Sequence, residues 1–300
     1  MFTDRITHLK NTFRWTRDSS ILLSVFFLTI VLILYVWWPL AQEAAAYVDW
    51  TGPWWRYMDW LLIGIFLFMS IAIVSRADLR LDTVTILVAT MGGLVIESWG
   101  TQTNLWHYYT AERPPLWIIP AWPIATLTIN RIVLVLNIIF SNRQETKKES
   151  IQVFKALGGS PKNLAHSASL CPEGGWWLQL LYWLLFTAFF ALMLYFVSPT
   201  FDKSYTLIAT LLVFLLIITP TDHRHAILTF IAGAGLGYFL ELWGTTRECW
   251  TYYTFAKPPL FAVLAHGMAA VAFWRTEFLV KIIWQKITFF SGRPLERESK

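Results

Sequence analysis

Long apolar runs without a charged side chain set the strongest limit on how this chain folds. Residues 21–40 form one such run, ILLSVFFLTIVLILYVWWPL. A helix needs about 20 apolar residues to cross the hydrocarbon core of a bilayer, and only helices and closed barrels satisfy their backbone hydrogen bonds there. Charged residues make up 14% of the chain, whereas soluble domains usually contain about 25%. The sequence therefore predicts an integral membrane protein.

Eight apolar segments predict an all-α polytopic fold with eight transmembrane helices. The third and seventh segments are short and contain glycine, so the sequence defines their ends least sharply. The first segment exceeds the apolar core of a signal peptide, which is about 7–15 residues, and we interpret it as a retained helix. The predicted spans are residues 20–40, 57–75, 82–99, 115–140, 176–198, 204–220, 225–243 and 258–284.

Lysine and arginine are concentrated in alternate connections between these segments. Cytoplasmic loops of membrane proteins carry an excess of these residues, so the pattern predicts a plasma (inner) membrane protein with both termini in the cytoplasm. This asymmetry accounts for the net charge of +5 without a nucleic-acid partner. The predicted cytoplasmic cations are Arg5, Lys10, Arg14, Arg17, Arg76, Arg80, Arg143, Lys147, Lys148, Lys155, Lys162, Lys286, Arg293, Arg297 and Lys300.

The two cysteines are predicted to lie on opposite sides of the membrane. Cys171 falls in the long middle connection and Cys249 in an outer loop, so they are not expected to pair. The sequence contains no Cys-x-x-Cys and no Cys/His spacing typical of a metal site. We therefore predict neither a metal nor a cofactor.

The chain contains an internal repeat. ESWGTQTNLWHYYTAERPPL, residues 97–116, aligns without a gap with ELWGTTRECWTYYTFAKPPL, residues 241–260. Each half holds four predicted spans, and an even number makes the two halves parallel rather than inverted. The predicted organisation is an N-terminal four-helix repeat over residues 1–140, a cytoplasmic connector over 141–175, and a C-terminal four-helix repeat with a basic tail over 176–300.

Glu97 and Glu241 occupy equivalent places in the two copies, about one turn inside the outer ends of apolar spans. An ionisable group within a membrane span costs a few kcal/mol to insert and indicates a functional site. A carboxylic acid held partly neutral can donate a proton and its conjugate base can take one back, so the pair is predicted to be catalytic. The alternative is structural, because each carboxylate could fasten its aromatic loop as a cap, through loop amides or through Arg113, Lys257 or Arg247.

The loops after the two glutamates are rich in aromatic residues, which predict a substrate-binding surface or a packed cap. His266 aligns with Trp122, so the copies differ at this position. A histidine there could relay a proton, bind a metal or hydrogen-bond to a neighbouring helix. The candidate substrate-binding residues are Trp99, Trp106, Tyr108, Tyr109, Trp243, Trp250, Tyr252, Tyr253 and His266.

Two Asp-x-Arg sequences stand at the cytoplasmic starts of the third and seventh spans. An aspartate near a helix N-terminus complements the helix dipole, and Asp–Arg pairs could also bridge neighbouring helices. Arg131 and Arg275 lie deeper and are expected to extend toward cytoplasmic lipid phosphates. The predicted structural pairs are Asp78 with Arg80 and Asp222 with Arg224.

Residues 93–123 and their second copy resemble the integral-membrane carotenoid biosynthesis proteins. The shared features are a glutamate on a short helix, a Gly-Thr pair, an aromatic W-x-Y loop, a proline and an apolar helix. The segment is similar to bisanhydrobacterioruberin hydratases and, more remotely, to lycopene-cyclase-type membrane cyclases. The paired acidic motif of those cyclases is absent, and Trp122 and His266 lie in its place.

The resemblance implies a bundle of about seven or eight helices that binds a long polyene. Such proteins add water or close rings by protonating a double bond, which would make Glu97 and Glu241 the acids. The tryptophan and tyrosine faces would then shield the cation. We accordingly predict an enzyme that acts on a polyprenoid or carotenoid-like lipid by hydration, cyclisation or isomerisation.

A second class of function fits the same residues. A non-catalytic membrane subunit would use its aromatic outer caps to dock an extracytoplasmic partner and its polar connector to dock a cytoplasmic one. A transporter is disfavoured, because the predicted halves are parallel and the spans carry few central charges. The predicted partners are membrane lipids and, for the second class, integral-membrane or extracytoplasmic proteins.

Overall fold

The computed structural model describes residues 15–156 and 175–290, with side chains except at 138, 141–156, 175 and 285–290. These residues form nine α-helices and two short strands. The predicted cations of residues 1–14 and 291–300, together with Lys162 and Cys171 in the connector, lie outside the described residues. The elements are α1 (Arg17–Val36), α2 (Trp38–Ala46), α3 (Trp60–Val74), α4 (Leu79–Gln102), β1 (Trp106–Tyr108), α5 (Ala121–Ala156), α6 (Gly175–Val197), α7 (Ser204–Ile218), α8 (His223–Thr246), β2 (Trp250–Tyr252) and α9 (Leu260–Phe290).

Six of the described segments are long and apolar enough to cross a membrane, which confirms a mostly helical membrane protein. They are Arg17–Val36, Leu79–Gln102, Leu116–Asn137, Trp176–Thr200, His223–Thr246 and Leu260–Trp284.

The lengths of four helices differ from those expected from the sequence. The second and sixth predicted spans are the 15-residue helices α3 and α7, which are about 22 Å long at 1.5 Å per residue. The third and seventh, expected to be short, are the 24-residue helices α4 and α8. Both continue past their glutamates, because the polar Trp-Gly-Thr segment that follows remains helical.

The two copies of the repeat begin their last helix at different places. After the repeated Pro-Pro pair, α9 starts at once at Leu260, whereas a 3₁₀ turn (Leu116–Ile118) precedes α5. Pro120 and Pro123 lie immediately before and within the first turn of α5. Proline is tolerated there but not in a helix interior, because it lacks the N–H group. The same helix runs to Ala156, so the predicted boundary at residue 140 falls inside it.

Asp78 and Asp222 are the N-caps of α4 and α8. The Asp78 carboxylate accepts hydrogen bonds from the backbone N–H groups of Arg80 and Leu81, and Asp222 accepts one from that of His225. Both aspartates therefore satisfy backbone donors that a helix start leaves free. Their carboxylates act within their own helices rather than between helices.

Helices α4, α5, α8 and α9 form the centre of the bundle, with α1 and α3 packed on one flank and α6 and α7 on the other. The closest approach is between α8 and α9. A Cβ atom added to Gly233 would lie 2.8 Å from both the Gly267 Cα and the His266 carbonyl oxygen. Glycine at this position lets the two backbones touch, as small residues do in other membrane bundles.

Strands β1 and β2 pair with each other, so the loops that follow α4 and α8 meet at one end of the bundle. Their register is antiparallel, with Trp106 opposite Tyr252 and Tyr108 opposite Trp250. This pairing places four aromatic residues of the repeat next to one another. It also places the C-terminal ends of α4 and α8, with their glutamates, beneath the same two-stranded ribbon.

Candidate functional site

The Glu97 side chain is buried in α4 and accepts three hydrogen bonds from aromatic side chains. Its two carboxylate oxygens lie 3.1 Å from Trp106 Nε1, 3.0 Å from the Tyr108 hydroxyl and 3.2 Å from Trp122 Nε1. Two of these donors come from β1 and one from the first turn of α5. Buried polar groups need such partners, because losing one costs about 1–3 kcal/mol.

Glu241 has an equivalent environment in α8 and is equally buried. It accepts hydrogen bonds from Trp250 Nε1 at 2.9 Å and from the Tyr252 hydroxyl at 2.9 Å, and His266 Nε2 lies 3.0 Å from the same carboxylate. The aromatic donors again stand on a strand, here β2. Each glutamate therefore holds the strand that follows its own helix.

Position 122 in α5 and position 266 in α9 provide the one chemical difference between the two carboxylate sites. An indole N–H can only donate, whereas an imidazole can give up or accept a proton near neutral pH. The Trp122 and His266 rings stack on each other, with centroids 5.7 Å apart and planes at 19°. The two carboxylate sites are thus neighbours, separated by these two rings.

Glycine in the last turns of α4 and α8 makes room for the strand tryptophans. A Cβ atom on Gly100 would lie 1.8 Å from the Trp106 ring, and one on Gly244 would lie 2.0 Å from the Trp250 ring. Any side chain at these positions would displace the indole whose N–H group reaches the glutamate. The Gly-Thr element of the repeat therefore has a direct role in the carboxylate sites.

Four of the predicted aromatic residues do not contact the carboxylates. The Trp99 indole donates to Thr206 Oγ1 in α7 at 3.1 Å, and the Trp243 indole donates to Asp59 Oδ2 before α3 at 2.7 Å. The hydroxyls of Tyr109 and Tyr253 donate to the backbone carbonyls of Val36 and Phe196. The two tyrosines attach the ends of the ribbon to α1 and α6, and the two indoles connect α4 with α7 and α8 with the N-cap of α3.

Two of the three charged residues that could have paired with the glutamates have other partners. Arg247 forms an ion pair with Asp59 at 2.9 Å, and Lys257 forms one with Glu248 at 2.7 Å. Hydrogen bonding to Lys257 lowers the pKa of Glu248, an exposed group outside the spans. The described partners of the two buried carboxylates are therefore only indole, phenol and imidazole groups.

The strand tyrosines remain protonated donors. Burial raises the pKa of Tyr108 and Tyr252 well above the usual value, and the neighbouring carboxylates raise it further. Burial likewise raises the pKa of the Cys249 thiol to about 12. A thiol that stays protonated is a poor nucleophile, so Cys249 is not a candidate for covalent chemistry.

A large apolar cavity reaches both glutamates. Its volume is about 1500 Å³, and residues from all eight long helices line it. Ligand pockets usually measure about 300–1,000 Å³ and combine apolar walls with a few polar groups. Here the polar groups at the outer end are the two glutamates and their donors. Trp99, Trp106, Tyr108, Trp243, Trp250, Tyr252 and His266 line the cavity, whereas Tyr109 and Tyr253 do not.

The sequence did not single out two features of this centre. Trp122 is the third donor to Glu97, and its only signal was its alignment with His266. Asp82 forms a buried ion pair with Arg131, whose Nη2 lies 2.6 Å from the carboxylate. Arg131 therefore pairs within the bundle instead of extending to lipid phosphates, and Arg275 donates to Thr219 Oγ1 at 3.4 Å.

The described residues contain no group of three or more His, Cys, Asp or Glu side chains that could hold a metal ion. The chemistry that these residues themselves offer is proton transfer at a buried carboxylate with an imidazole partner, beside an apolar cavity lined with aromatic rings.

Fold and site together define a helical membrane protein with paired carboxylates buried beneath an aromatic ribbon. No family model, no curated protein and no solved structure matches the chain.

Proposed function

We propose that this protein is a membrane-embedded enzyme that acts on a polyprenoid or carotenoid-like lipid by acid/base chemistry. The observation that carries the proposal is the apolar cavity of about 1500 Å³, whose outer end is formed by the Glu97 and Glu241 sites. A carboxylate that served only to fasten a loop would not need a space of this size beside it. The resemblance of the repeated segment to carotenoid biosynthesis proteins points to the same class of substrate.

Glu241 is proposed to transfer the proton. Its carboxylate lies 3.0 Å from His266 Nε2, so a proton given to a double bond of the substrate can be replaced through the imidazole. General acid–base catalysis by a positioned side chain typically contributes about 10²–10⁴ in rate. The conjugate base would then remove a proton from the cation or from a water molecule, which completes isomerisation, cyclisation or hydration.

Glu97 is proposed to remain a fixed carboxylate. Its three partners are an indole, a phenol and a second indole, none of which exchanges a proton readily near neutral pH. The oxygens of a carboxyl group held in place beside an apolar cavity would stabilise a developing carbocation electrostatically. The faces of Trp106 and Trp250, which line the same cavity, would contribute cation–π attraction.

The charges around the cavity favour an uncharged substrate. At the inner end Lys281 is paired with Glu277 at 2.5 Å, and Glu277 also accepts a hydrogen bond from Thr85 at 2.7 Å. Among the described lining residues, Lys281 is the only lysine or arginine. Neither glutamate has a lysine or arginine partner among the described residues that could bind an anionic headgroup, so a phosphorylated lipid fits the cavity less well than an alcohol or hydrocarbon.

The architecture proposed for this enzyme is eight spans in two parallel four-helix repeats, related by an approximate twofold axis along the membrane normal. The symmetric register of β1 and β2 supports it, as do positive φ angles at equivalent residues, Asn104 with Glu248 and Ala111 with Phe255. We place it in the plasma membrane with both termini in the cytoplasm, from the distribution of lysine and arginine.

A non-catalytic subunit of a membrane complex is the second candidate. The segment between α2 and α3 carries five exposed aromatic side chains, Tyr47, Trp50, Trp54, Trp55 and Tyr57, which are residue types enriched at protein interfaces. The same residue types are also common where a helix meets the lipid headgroups. In this alternative the glutamates would only fasten the ribbon.

Conservative substitution of the glutamates tests the proposal. The full chain, reconstituted in liposomes, would be assayed for turnover of a panel of uncharged polyprenols and polyenes by mass spectrometry. Glu241→Gln should lower turnover about 100-fold or more, while its melting temperature stays near that of the unmodified protein. A docking subunit would instead show no turnover in any form, and the variants would lose stability or a co-purifying partner.

Exchanging the differing residues between the two sites provides the control. His266→Trp gives the second site the same three donor types as the first and should abolish most turnover. Trp122→His changes the first site in the opposite direction and should leave turnover largely intact. If turnover depended on Glu97 and not on Glu241, the proposed division of roles would be wrong.

A further inference from the structure

The cavity is open to the outside of the bundle along α4. Leu87, Met91 and Val95 follow one another at intervals of four residues and form a stripe on this helix. All three line the cavity, yet each is 60–63% exposed. Side chains that line an enclosed cavity would be covered by neighbouring helices. Because these three are not covered, no described helix closes the cavity beside this stripe of α4.

The facing edge of the opening is α7. Tyr205, Ile208 and Leu212 also line the cavity and are also exposed. At the outer end the two helices are joined by the hydrogen bond from Trp99 Nε1 to Thr206 Oγ1. Below this bond the space between α4 and α7 belongs to the cavity, and it faces the surface that bilayer chains would cover.

The opposite side of the bundle lacks such an opening. At an offset of 144 residues, the α4 stripe corresponds to Ile231, Gly235 and Phe239 in α8. These three residues are exposed as well, but they do not line the cavity. There α3 packs directly against α8. The opening is therefore a property of one side only, although the sequences of the two sides are related.

We propose that the gap between α4 and α7 is a lateral portal, through which the apolar chain of a membrane lipid passes from the bilayer to the glutamates. A lipid chain is the occupant that fits, because the walls are apolar and the gap lies along α4, a candidate transmembrane helix. Met91 is six residues from Glu97, so the opening lies about 9 Å along the helix from the carboxylate. The inference rests on the proposed function for its ligand class but does not require that turnover occur.

Photolabelling in a bilayer tests the portal. The full chain would be reconstituted in phosphatidylcholine liposomes that contain geranylgeraniol with a diazirine on its chain. After illumination, mass spectrometry would measure adducts on the cavity peptides that carry Trp122 and His266. Met91→Trp and Val95→Trp place a large ring in the gap and should lower these adducts about fivefold or more, because access and not affinity is blocked.

Matched controls lie at equivalent positions on the closed side. Gly235→Trp and Phe239→Trp add a similar ring to the same level of the other half, and adduct yield should stay within about twofold of the unmodified chain. Leu212→Trp blocks the gap from the α7 side and should reproduce the loss, so a folding defect in one α4 variant does not decide the result. Melting temperatures of all variants would be measured in the same liposomes.

Three results would overturn the portal: unchanged labelling in the α4 and α7 variants, an equal loss in the control variants, or no cavity adduct in the unmodified chain. Glu97→Gln and Glu241→Gln should keep the adduct. If those variants and the unmodified chain label alike while no polyprenoid is turned over, the proposed chemistry fails and the portal stands.

Discussion

The two carboxylate sites differ at a single residue, and the proposed division of roles between them rests on that difference. Glu97 and Glu241 share a tryptophan donor and a tyrosine donor at the same positions of the repeat. The third partner is Trp122 in one site and His266 in the other. In the proposed mechanism, this one difference in residue type gives the Glu241 site a partner that can exchange a proton and leaves the Glu97 site without one.

Part of this centre could be predicted from the sequence. Glu97 and Glu241 stood out because charge is rare in an apolar span. Trp122 did not stand out, because the sequence does not distinguish a tryptophan that donates a hydrogen bond from one that only packs in a core. All four aromatic residues Trp99, Trp106, Tyr108 and Tyr109 were expected at the substrate. Only the fold shows that Trp106 and Tyr108 donate to Glu97 and that Trp99 lines the cavity without doing so.

The glycines beneath the strand tryptophans give a prediction at the residue scale. Gly100→Ala and Gly244→Ala place a methyl group within 2.0 Å of the indole rings, and overpacking of this kind costs roughly 1–3 kcal/mol or more. Each variant should melt at a lower temperature in detergent and lose turnover. Gly235→Ala is the matched control in α8, because nothing lies within 4 Å of its added methyl group. It should be neutral or slightly stabilising, since alanine favours a helix by about 1 kcal/mol over glycine; equal losses in all three variants would contradict the packing argument.

At the level of helices and strands, the apolar runs predicted where helices exist but not how long they are. α4 and α8 extend beyond their apolar segments because their N-caps begin earlier and the Trp-Gly-Thr segments stay helical. β1 and β2 could not be predicted, because each has three residues and forms only where two loops, far apart in sequence, come together. Strand pairing of this kind is a tertiary effect that local sequence does not encode.

The ion pair between α4 and α5 gives a prediction about helix packing. Asp82 and Arg131 are both largely buried, and their side chains are only 7% and 13% exposed. Asp82→Ala should destabilise the protein by about 3–5 kcal/mol, because it leaves a buried cation without its partner. The double variant Asp82→Ala/Arg131→Met should recover most of that loss in a thermal melt. If the single and double variants were equally unstable, the pair would not be what joins these helices.

In the whole molecule, the central helices of one half of the chain pack directly against those of the other half. α5 packs on α8 and α4 packs on α9. Trp99 of the first half bonds to Thr206 of the second, and Trp243 of the second bonds to Asp59 of the first. A half on its own would expose apolar faces and leave the Trp99 and Trp243 indoles without these acceptors.

Splitting the chain tests this dependence. Residues 1–160 and 170–300 expressed separately should be degraded or aggregate, whereas co-expression should yield a stable complex that co-purifies through a tag on one piece. Size-exclusion chromatography and circular dichroism would measure assembly and helix content. Stable, monomeric halves would show that the bonds across the bundle are dispensable.

The pairing of β1 with β2 limits how the two loops above the glutamates can move. Its backbone hydrogen bonds tie the donors of one carboxylate to those of the other, and Tyr109 and Tyr253 anchor both flanks to adjacent helices. We therefore expect the two loops to move together. Any loosening above Glu97 would then be shared with Glu241, and this end of the cavity would open as one unit.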